Sequence, residues 1–196
     1  MNIMELLESR RTYRRFDQNR PVPEDAYRDM KNALRLSSSG GNRQPLRFVF
    51  ARNRETVEAL FPHTRWAALL PKELGTPKEG EHPVMYAAVI YDGEKHPKAP
   101  DTDAGLALGN LTLAAWAHGI GSCIMGNIDR EEIAKILKIP APWKIHTVVA
   151  FGVPTHTSRI IDVAENGSLD YSLDADKNYL VPKVSVSDLV FDESFS

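Results

Sequence analysis

Four arginines, a threonine and a tyrosine are consecutive near the N-terminus, in the segment Arg10–Arg15. Arginine side chains bind phosphate oxygens through paired hydrogen bonds, and a threonine hydroxyl can donate to a further oxygen. Because Arg10, Thr12 and Arg14 alternate, an extended backbone presents all three on one side. The segment favours phosphate binding, and a solvent-exposed run of charge is the alternative interpretation.

A second cluster of small and amide-bearing residues runs from Ser37 to Gln44. Its three serines, two glycines and two carboxamides offer hydroxyls, backbone N–H groups and amide groups to a ligand. Such a loop can hold a phosphate or the polar edge of a heterocycle. A simple helix stop followed by a turn fits the same residues.

The third cluster, Gly119 to Gly126, is rich in glycine and directly follows an apolar segment. We predict flexible backbone here that can lie flat against a planar ligand, with a tight connection as the alternative. Gly119-Ile-Gly121 follows a predicted helix rather than a strand, so it is not a dinucleotide-binding fingerprint.

Other familiar sites are absent from the sequence. The chain of 196 residues has a single cysteine, Cys123, which excludes an internal disulfide and any multi-cysteine metal cluster. Its six histidines are scattered without metal-ligand spacing, so we expect no metal. We expect Cys123 to be a small buried apolar residue rather than a redox centre.

The net charge of −2 is unevenly distributed. Residues 1–54 carry 12 Lys and Arg against 6 Asp and Glu, and residues 55–196 carry 12 against 20. A basic N-terminal part suggests an anionic partner, but it lacks the interleaved aromatics of a nucleic-acid-binding stripe. We therefore predict no nucleic-acid partner.

No signal peptide or membrane-spanning segment is visible, so we predict a cytoplasmic protein without a membrane partner.

Helices and strands alternate loosely, which predicts a sheet covered by helices, an α+β or α/β sandwich, in a single domain over residues 1–196. The predicted helices are Ile3–Arg10, one opened by Pro23, a short one capped by Asn53, Asp103–His118 and one from Asp129 through Leu137. The predicted strands are Phe48–Ala51, Val84–Tyr91, which is expected to be buried on both faces, Ile145–Val153 and one within Val181–Val190.

Two segments stand out from this pattern. Between Ala104 and Ala117 only Asn110 and Thr112 are polar, and a helix that is apolar all round belongs inside a core or at a large subunit interface. Residues 62–83 are rich in proline and glycine, so they form a lid or binding loop, or hold a short helix around Trp66–Leu74.

Taken in order, these clusters resemble the nitroreductase family of FMN-dependent oxidoreductases. The matching segments are Arg10–Phe16, Ser39–Phe48, Asp103–Gly105, Asn110-Leu111, Leu113–Ala115, Gly119–Gly121 and Phe151–Pro154. The resemblance covers residues 3–154, and Val181–Lys183 resembles a tail of some members. The chain departs from the family pattern at Ser38, where proline is common, and at Leu46, where tryptophan is common.

The resemblance implies an α+β, three-layer sandwich with a central, mostly antiparallel sheet covered by helices and a long buried central helix. It also implies an intertwined homodimer with FMN at the interface. FMN then carries the redox chemistry, so we expect no catalytic side chain.

The resemblance assigns three groups of cofactor-binding residues. The first binds the FMN phosphate and ribityl chain and comprises Arg10, Arg11, Thr12 and Arg14, joined by Lys183. The second reaches the same flavin from the other subunit and comprises Ser38, Ser39, Gly40 and Asn42, with Gln44 near the pyrimidine edge. The third is the Met125–Gly126 backbone, whose N–H faces flavin N5. Arg14 and Arg43 are the candidates for a positive group near flavin N1.

The implied activity is hydride transfer from NADH or NADPH, through the flavin, to a small-molecule acceptor. Nitroaromatics, quinones and activated alkenes are the acceptor classes. The alternative is a flavin-binding or regulatory protein on the same fold without turnover, which the unmatched segment 62–83 motivates.

Overall fold

The computed structural model describes residues 2–164 and 167–192 of the chain. The chain divides into two compact units, Met1–Thr155 and His156–Ser196. The organisation as one domain over residues 1–196 stays a prediction.

The helices and strands of the first unit follow the predicted order closely. They are α1 (Ile3–Ser9), α2 (Glu24–Arg35), β1 (Leu46–Ala51), α3 (Arg54–Leu60), α4 (Lys72–Gly75), β2 (Met85–Asp92), α5 (Asp101–Ala117), β3 (Gly121–Met125), α6 (Arg130–Ile136) and β4 (Trp143–Gly152). Single helical turns of 3₁₀ type cover Gly40–Asn42 and Phe61–His63.

In the first unit, three helix starts are fixed by side-chain caps, as the residue types lead one to expect. Asn53 accepts a hydrogen bond from the Thr56 amide at the start of α3, and Asp129 accepts one from the Glu132 amide at the start of α6. Asn2 caps α1 in the same way. Each cap satisfies backbone N–H groups that have no partner within the helix.

The central sheet has the strand order β1–β2–β4–β3, and every neighbouring pair is antiparallel. Side chains alternate between its two faces, so strands β1, β2 and β4 each contribute to two separate apolar cores. On β2, Tyr86 and Ala88 lie in one core, while Met85 and Ala87 lie in the other. This explains the continuous apolar run of β2, because neither face meets water.

Helices cover the sheet on both sides, which confirms the predicted three-layer α+β sandwich. Buried residues of α2 and α5, including Met30 and Leu111, pack in the core with Met85 and Ala87. Buried residues of α3 and α6, including Leu60 and Ile133, pack in the opposite core.

One local prediction was wrong, and the position of one predicted helix differs from the structure. The glycine-rich segment that follows α5 is not flexible backbone, since Gly121–Met125 is strand β3 and pairs with β4 along its whole length. Within residues 62–83 the helix is α4, which is shorter and begins later than the range around Trp66–Leu74. Proline at position 71 immediately precedes this helix as its N-cap.

The second unit holds a small sheet with the strand order β5–β7–β6. These strands are β5 (Ser158–Asp162), β6 (Ser172–Leu173) and β7 (Tyr179–Lys183), and the short helix α7 (Val186–Leu189) follows. The strand predicted within Val181–Val190 therefore starts earlier than that range and ends at Lys183.

None of the helices within residues 2–164 and 167–192 combines the length and the apolar character needed to cross a lipid bilayer.

Candidate functional site

The arginine-rich segment lies against the edge strand β3. Helix α1 ends at Ser9, and Arg10 caps it through an N–H donated to the Leu6 carbonyl oxygen at 3.0 Å. The chain then runs non-helically and pairs with β3, where Thr12 bridges Ser122 in parallel and the Tyr13 N–H donates to Ser122 O at 2.9 Å. The segment and the strand that leads to Gly126 are thereby joined.

Two glycines let this segment approach the sheet closely. A Cβ at Gly121 would lie 2.9 Å from Tyr13 Cβ, and a Cβ at Gly152 would lie 2.7 Å from Phe16 Cβ. Tyr13 and Phe16 are both buried, and the Tyr13 ring stacks on Trp116 with 4.9 Å between centroids. Aromatic residues therefore anchor the segment while its arginines carry the charge. This anchoring role was not predicted, although two aromatic residues in and beside a run of arginines are a signal for it.

The hydrogen-bond donors of the arginine side chains in this segment are only partly paired with acceptors. The Nε atoms of Arg10 and Arg11 are buried and have no hydrogen-bond partner within the described residues. Arg11 Nη2 donates to Leu7 O at 2.6 Å. Burial, and then the charge of neighbouring Arg10, lower the pKa of Arg11. Clustered, partly desolvated positive charge is stabilised by an anion, so the segment suits an anionic ligand.

Cys123 lies beneath this segment in the apolar core, as expected of a small buried residue. Burial raises the pKa of its thiol to about 11, and the nearby Arg14 guanidinium only partly opposes the shift. At pH 8 about one thiol in a thousand would be ionised at that pKa.

Cys123 is therefore expected to be inert towards thiol reagents in the folded protein. At pH 8, Ellman's reagent should react with it at least 100-fold more slowly in buffer than in 6 M guanidinium chloride, where the pKa returns to about 8.5 and access is free. A native rate within tenfold of the unfolded rate would contradict this burial.

The Ser37–Gln44 segment is held by α5. The Gly40 N–H donates to Asp103 Oδ1 at 2.9 Å, and Asn110 Nδ2 donates to Ser37 Oγ at 3.0 Å. Asp103 and Asn110 are positioning residues that the sequence analysis quoted in its motifs without assigning them a role. The predicted second group of site residues is thus fixed to the central helix.

The backbone of this segment has a conformation that few residues adopt. Gly41, Asn42 and Gln44 have φ values of 56°, 54° and 48°, in the left-handed region that favours glycine and tolerates asparagine. Internal hydrogen bonds support it, since the Gln44 N–H donates to Ser39 Oγ and Gln44 Nε2 donates to Asn42 Oδ1, both at 3.0 Å.

A cavity of about 490 Å³ opens beside the same segment, between α2 and β1. Ser38, Ser39 and Gln44 are among its lining residues. The lining also contains aliphatic residues, Asp103, and six aromatic or basic side chains, which are Tyr27, Phe48, Phe50, Lys31, Arg35 and Arg47.

The end of β3 presents the third predicted group. Met125 is buried, whereas Gly126 is exposed and a Cβ built there meets no atom within 4 Å. Thr12 and Tyr13 of the arginine-rich segment thus pair with Ser122 on the strand that leads to Met125 and Gly126, and open space remains at Gly126. Lys183 ends β7 in the second unit, so its part in the site stays a prediction, as do the roles of Arg14 and Arg43 near flavin N1.

A sequence model of the nitroreductase family matches residues 7–153. The chain belongs to this family. The predicted family is therefore confirmed, and the nitroreductase-family chain described here is an oxidoreductase. The match begins before the arginine-rich segment and ends after β4, so it includes every predicted site residue except Lys183.

Known proteins resemble this nitroreductase-family chain in sequence and in structure. A relative from Archaeoglobus fulgidus, whose name offers NADH dehydrogenase and NAD(P)H nitroreductase as alternatives, is 29% identical over 159 residues, covering 77% of this chain and 84% of the relative. An FMN-dependent nitroreductase from Clostridium difficile R20291 superposes with a TM-score of 0.67 at 19% identity over 98% of this chain and 100% of that one. The NADPH:FMN oxidoreductase of Vibrio harveyi has the same TM-score at 15% identity, covering 98% and 77%. The two solved structures share the fold.

Proposed function

We propose that this chain is an FMN-dependent NAD(P)H oxidoreductase that reduces a small nitroaromatic, quinone or activated alkene. The observation that carries the proposal is the pairing of Thr12 and Tyr13 with Ser122, because an arginine-rich segment suited to phosphate then lies beside strand β3, which Gly126 follows. The names of the Archaeoglobus, Clostridium and Vibrio proteins support the choice of flavin and nicotinamide.

The residues present fit the chemistry of FMN. Its phosphate carries close to two negative charges, and the partly desolvated guanidinium groups of Arg10 and Arg11 hold buried Nε donors without partners in the described part of the chain. A phosphate would supply the missing acceptors through charge-assisted hydrogen bonds. The open space at Gly126 leaves room for a flat ring system against the backbone.

When bound, FMN supplies the hydride chemistry, accepting a hydride from the nicotinamide and passing it to the acceptor. The chain's own residues bind and orient it. In this proposal Arg10, Arg11, Thr12 and Arg14 hold the phosphate and ribityl chain. The Gly126 N–H is the hydrogen-bond donor towards N5, and the positive charge of the segment favours the more electron-rich flavin.

The same proposal makes the protein a homodimer with FMN at the interface. Along α5 an apolar stripe is left uncovered within the first unit: Leu106 is 45% exposed, and Cβ atoms built on Gly105 and Gly109 meet nothing within 4 Å. Small residues of this kind permit a second backbone to come close, and α5 also carries the Ser37–Gln44 segment. Pairing of two α5 helices would bring Ser38, Ser39, Gly40, Asn42 and Gln44 to the partner's flavin.

Replacing Leu106 with glutamate is expected to convert the dimer into monomers and to lower the FMN content of the purified protein by at least tenfold, because a charge would be buried at the subunit interface. Leu74→Glu is the matched control, since Leu74 is also 45% exposed but lies on α4. Light scattering after size exclusion measures the mass, and absorbance at 450 nm measures the flavin. A dimeric, yellow Leu106→Glu protein would show that this stripe is not the interface.

The proposed activity is tested by anaerobic reduction of the purified protein after addition of FMN. We expect one FMN per chain and bleaching of its absorbance by NADH or NADPH within seconds, followed by recovery on addition of a quinone. A protein that takes up no FMN contradicts the proposal. Bound flavin that neither nicotinamide reduces would instead favour a flavin-binding protein without turnover.

A further inference from the structure

Arg130, the first residue of α6, has an unusual set of hydrogen-bond partners for an exposed arginine. Its Nε donates to Ile145 O at 3.1 Å, and its Nη2 donates to Gly126 O at 3.1 Å and to His146 O at 3.0 Å. All three acceptors are backbone carbonyl oxygens. The guanidinium thus ties the end of β3 to the adjacent strand β4.

A bulge in β4 makes this arrangement possible. Thr147 pairs with Val89 and Ile145 pairs with Ile90, so His146 is an extra residue without a partner on β2. A bulge disrupts the ladder locally and redirects its backbone groups. Arg130 accordingly bonds the carbonyl oxygens of two successive residues, Ile145 and His146, which a regular strand would point in opposite directions.

The two peptide units around Gly126 are each held by a side chain. Met125 O accepts a hydrogen bond from Thr147 Oγ1 at 3.3 Å, and Gly126 O accepts the bond from Arg130. The first of these peptide units contains the Gly126 N–H. Because glycine has the widest backbone freedom of any residue, and Gly126 is exposed, the direction of this N–H depends on such anchors.

We propose that Arg130 is the positioning residue for the Gly126 amide and thereby for the flavin atom that this amide faces. The inference rests on the proposed function for the identity of that ligand. Of the two anchors, the hydrogen bond from Arg130 to Gly126 O is the stronger, because it is charge-assisted and shorter than the bond from Thr147 to Met125 O. Its positive charge also favours whichever form of the ligand is more negative.

The test compares Arg130→Met and Arg130→Lys with Lys135→Met. Methionine keeps most of the arginine's length and removes its donors. Lysine keeps the charge without the planar fork. Lys135 is the matched control, because it lies on α6 and pairs with exposed Glu132 instead of with a carbonyl of β3 or β4.

Two measurements are made on each protein. Without FMN, ¹⁵N relaxation of glycine-labelled protein gives the order parameter of the Gly126 amide. We expect a fall from about 0.85 to below about 0.6 in Arg130→Met, an intermediate value in Arg130→Lys and no change in Lys135→Met. With FMN, affinity for the reduced flavin should fall at least tenfold more than affinity for the oxidised flavin, which lowers the midpoint potential by about 30 mV.

The outcomes separate the two proposals. Wild-type protein that binds no FMN contradicts the proposed function, and with it the flavin part of this inference. If the wild-type protein binds FMN, and Arg130→Met has the wild-type Gly126 order parameter and the wild-type midpoint potential, only the role of Arg130 is overturned. If Arg130→Met does not fold, Arg130→Lys is the test of the inference. A wild-type order parameter and a wild-type midpoint potential in Arg130→Lys would then overturn it.

Discussion

Arg10→Ala is expected to weaken FMN binding by about 1.5–3 kcal/mol, which is about 10- to 150-fold in Kd. The Arg10 guanidinium is partly buried at the end of α1 and its Nε has no hydrogen-bond partner within the described residues. In the proposed site this donor meets the cofactor phosphate, so its removal costs a charge-assisted hydrogen bond and leaves the fold intact.

The measurement for Arg10→Ala is quenching of FMN fluorescence on titration with the ligand-free protein. Arg20→Ala is the matched control, because it removes the same charge from an exposed position ten residues along the chain. The loss should diminish in inorganic phosphate, which competes for the same groups. Equal FMN affinity in the two variants would show that Arg10 does not hold the phosphate.

Gly152→Ala is expected to lower the free energy of unfolding by about 1–3 kcal/mol and also to weaken FMN binding. A methyl group at this position would lie 2.7 Å from Phe16 Cβ and 2.9 Å from Phe16 Cγ. These atoms cannot swing away as the end of a long side chain can, and Phe16 is fully buried. The backbone of the arginine-rich segment must therefore shift away from the sheet.

Urea unfolding of the ligand-free protein measures the first effect, and FMN titration measures the second. Gly126→Ala is the stability control, because the same methyl group meets nothing within 4 Å there. A Gly152→Ala protein with the wild-type unfolding midpoint and FMN affinity would show that the close contact does not position the segment.

Local sequence signals predicted α3, α6 and β2, whose causes are short-range. Asn53 and Asp129 cap helices because their side chains reach amide groups two or three residues ahead. The run of apolar residues in β2 identified a strand buried on both faces, since both cores need apolar side chains. These causes lie within a few residues of each other, so the sequence displays them directly.

The local predictions that differ from the structure come from segments whose structure depends on distant residues. Glycines at 119, 121 and 126 suggested flexible backbone, but Gly121 is in a strand because β4 supplies its hydrogen-bond partners and because Tyr13 and Pro154 need the space of a missing side chain. A residue's propensity carries no information about such partners. The helix in residues 62–83 begins only at Lys72, after Pro71. The residues just before the predicted range are held by a distant segment, since Thr64 bridges Ile128 and the Arg65 N–H donates to Asn127 O.

By itself, the sequence determined the family, the layered α+β fold and the residue types that suit an anionic cofactor, because motifs, caps and apolar periodicity are properties of neighbouring residues. Only the tertiary structure decided how those residues are positioned. It paired the arginine-rich segment with Ser122 on the strand that leads to Gly126, fixed the Ser37–Gln44 segment to Asp103, and joined Arg130 to three carbonyl oxygens at a bulge. Each of these contacts joins separate segments of the chain, and the physical reason is that hydrogen bonds and close packing depend on distance in space.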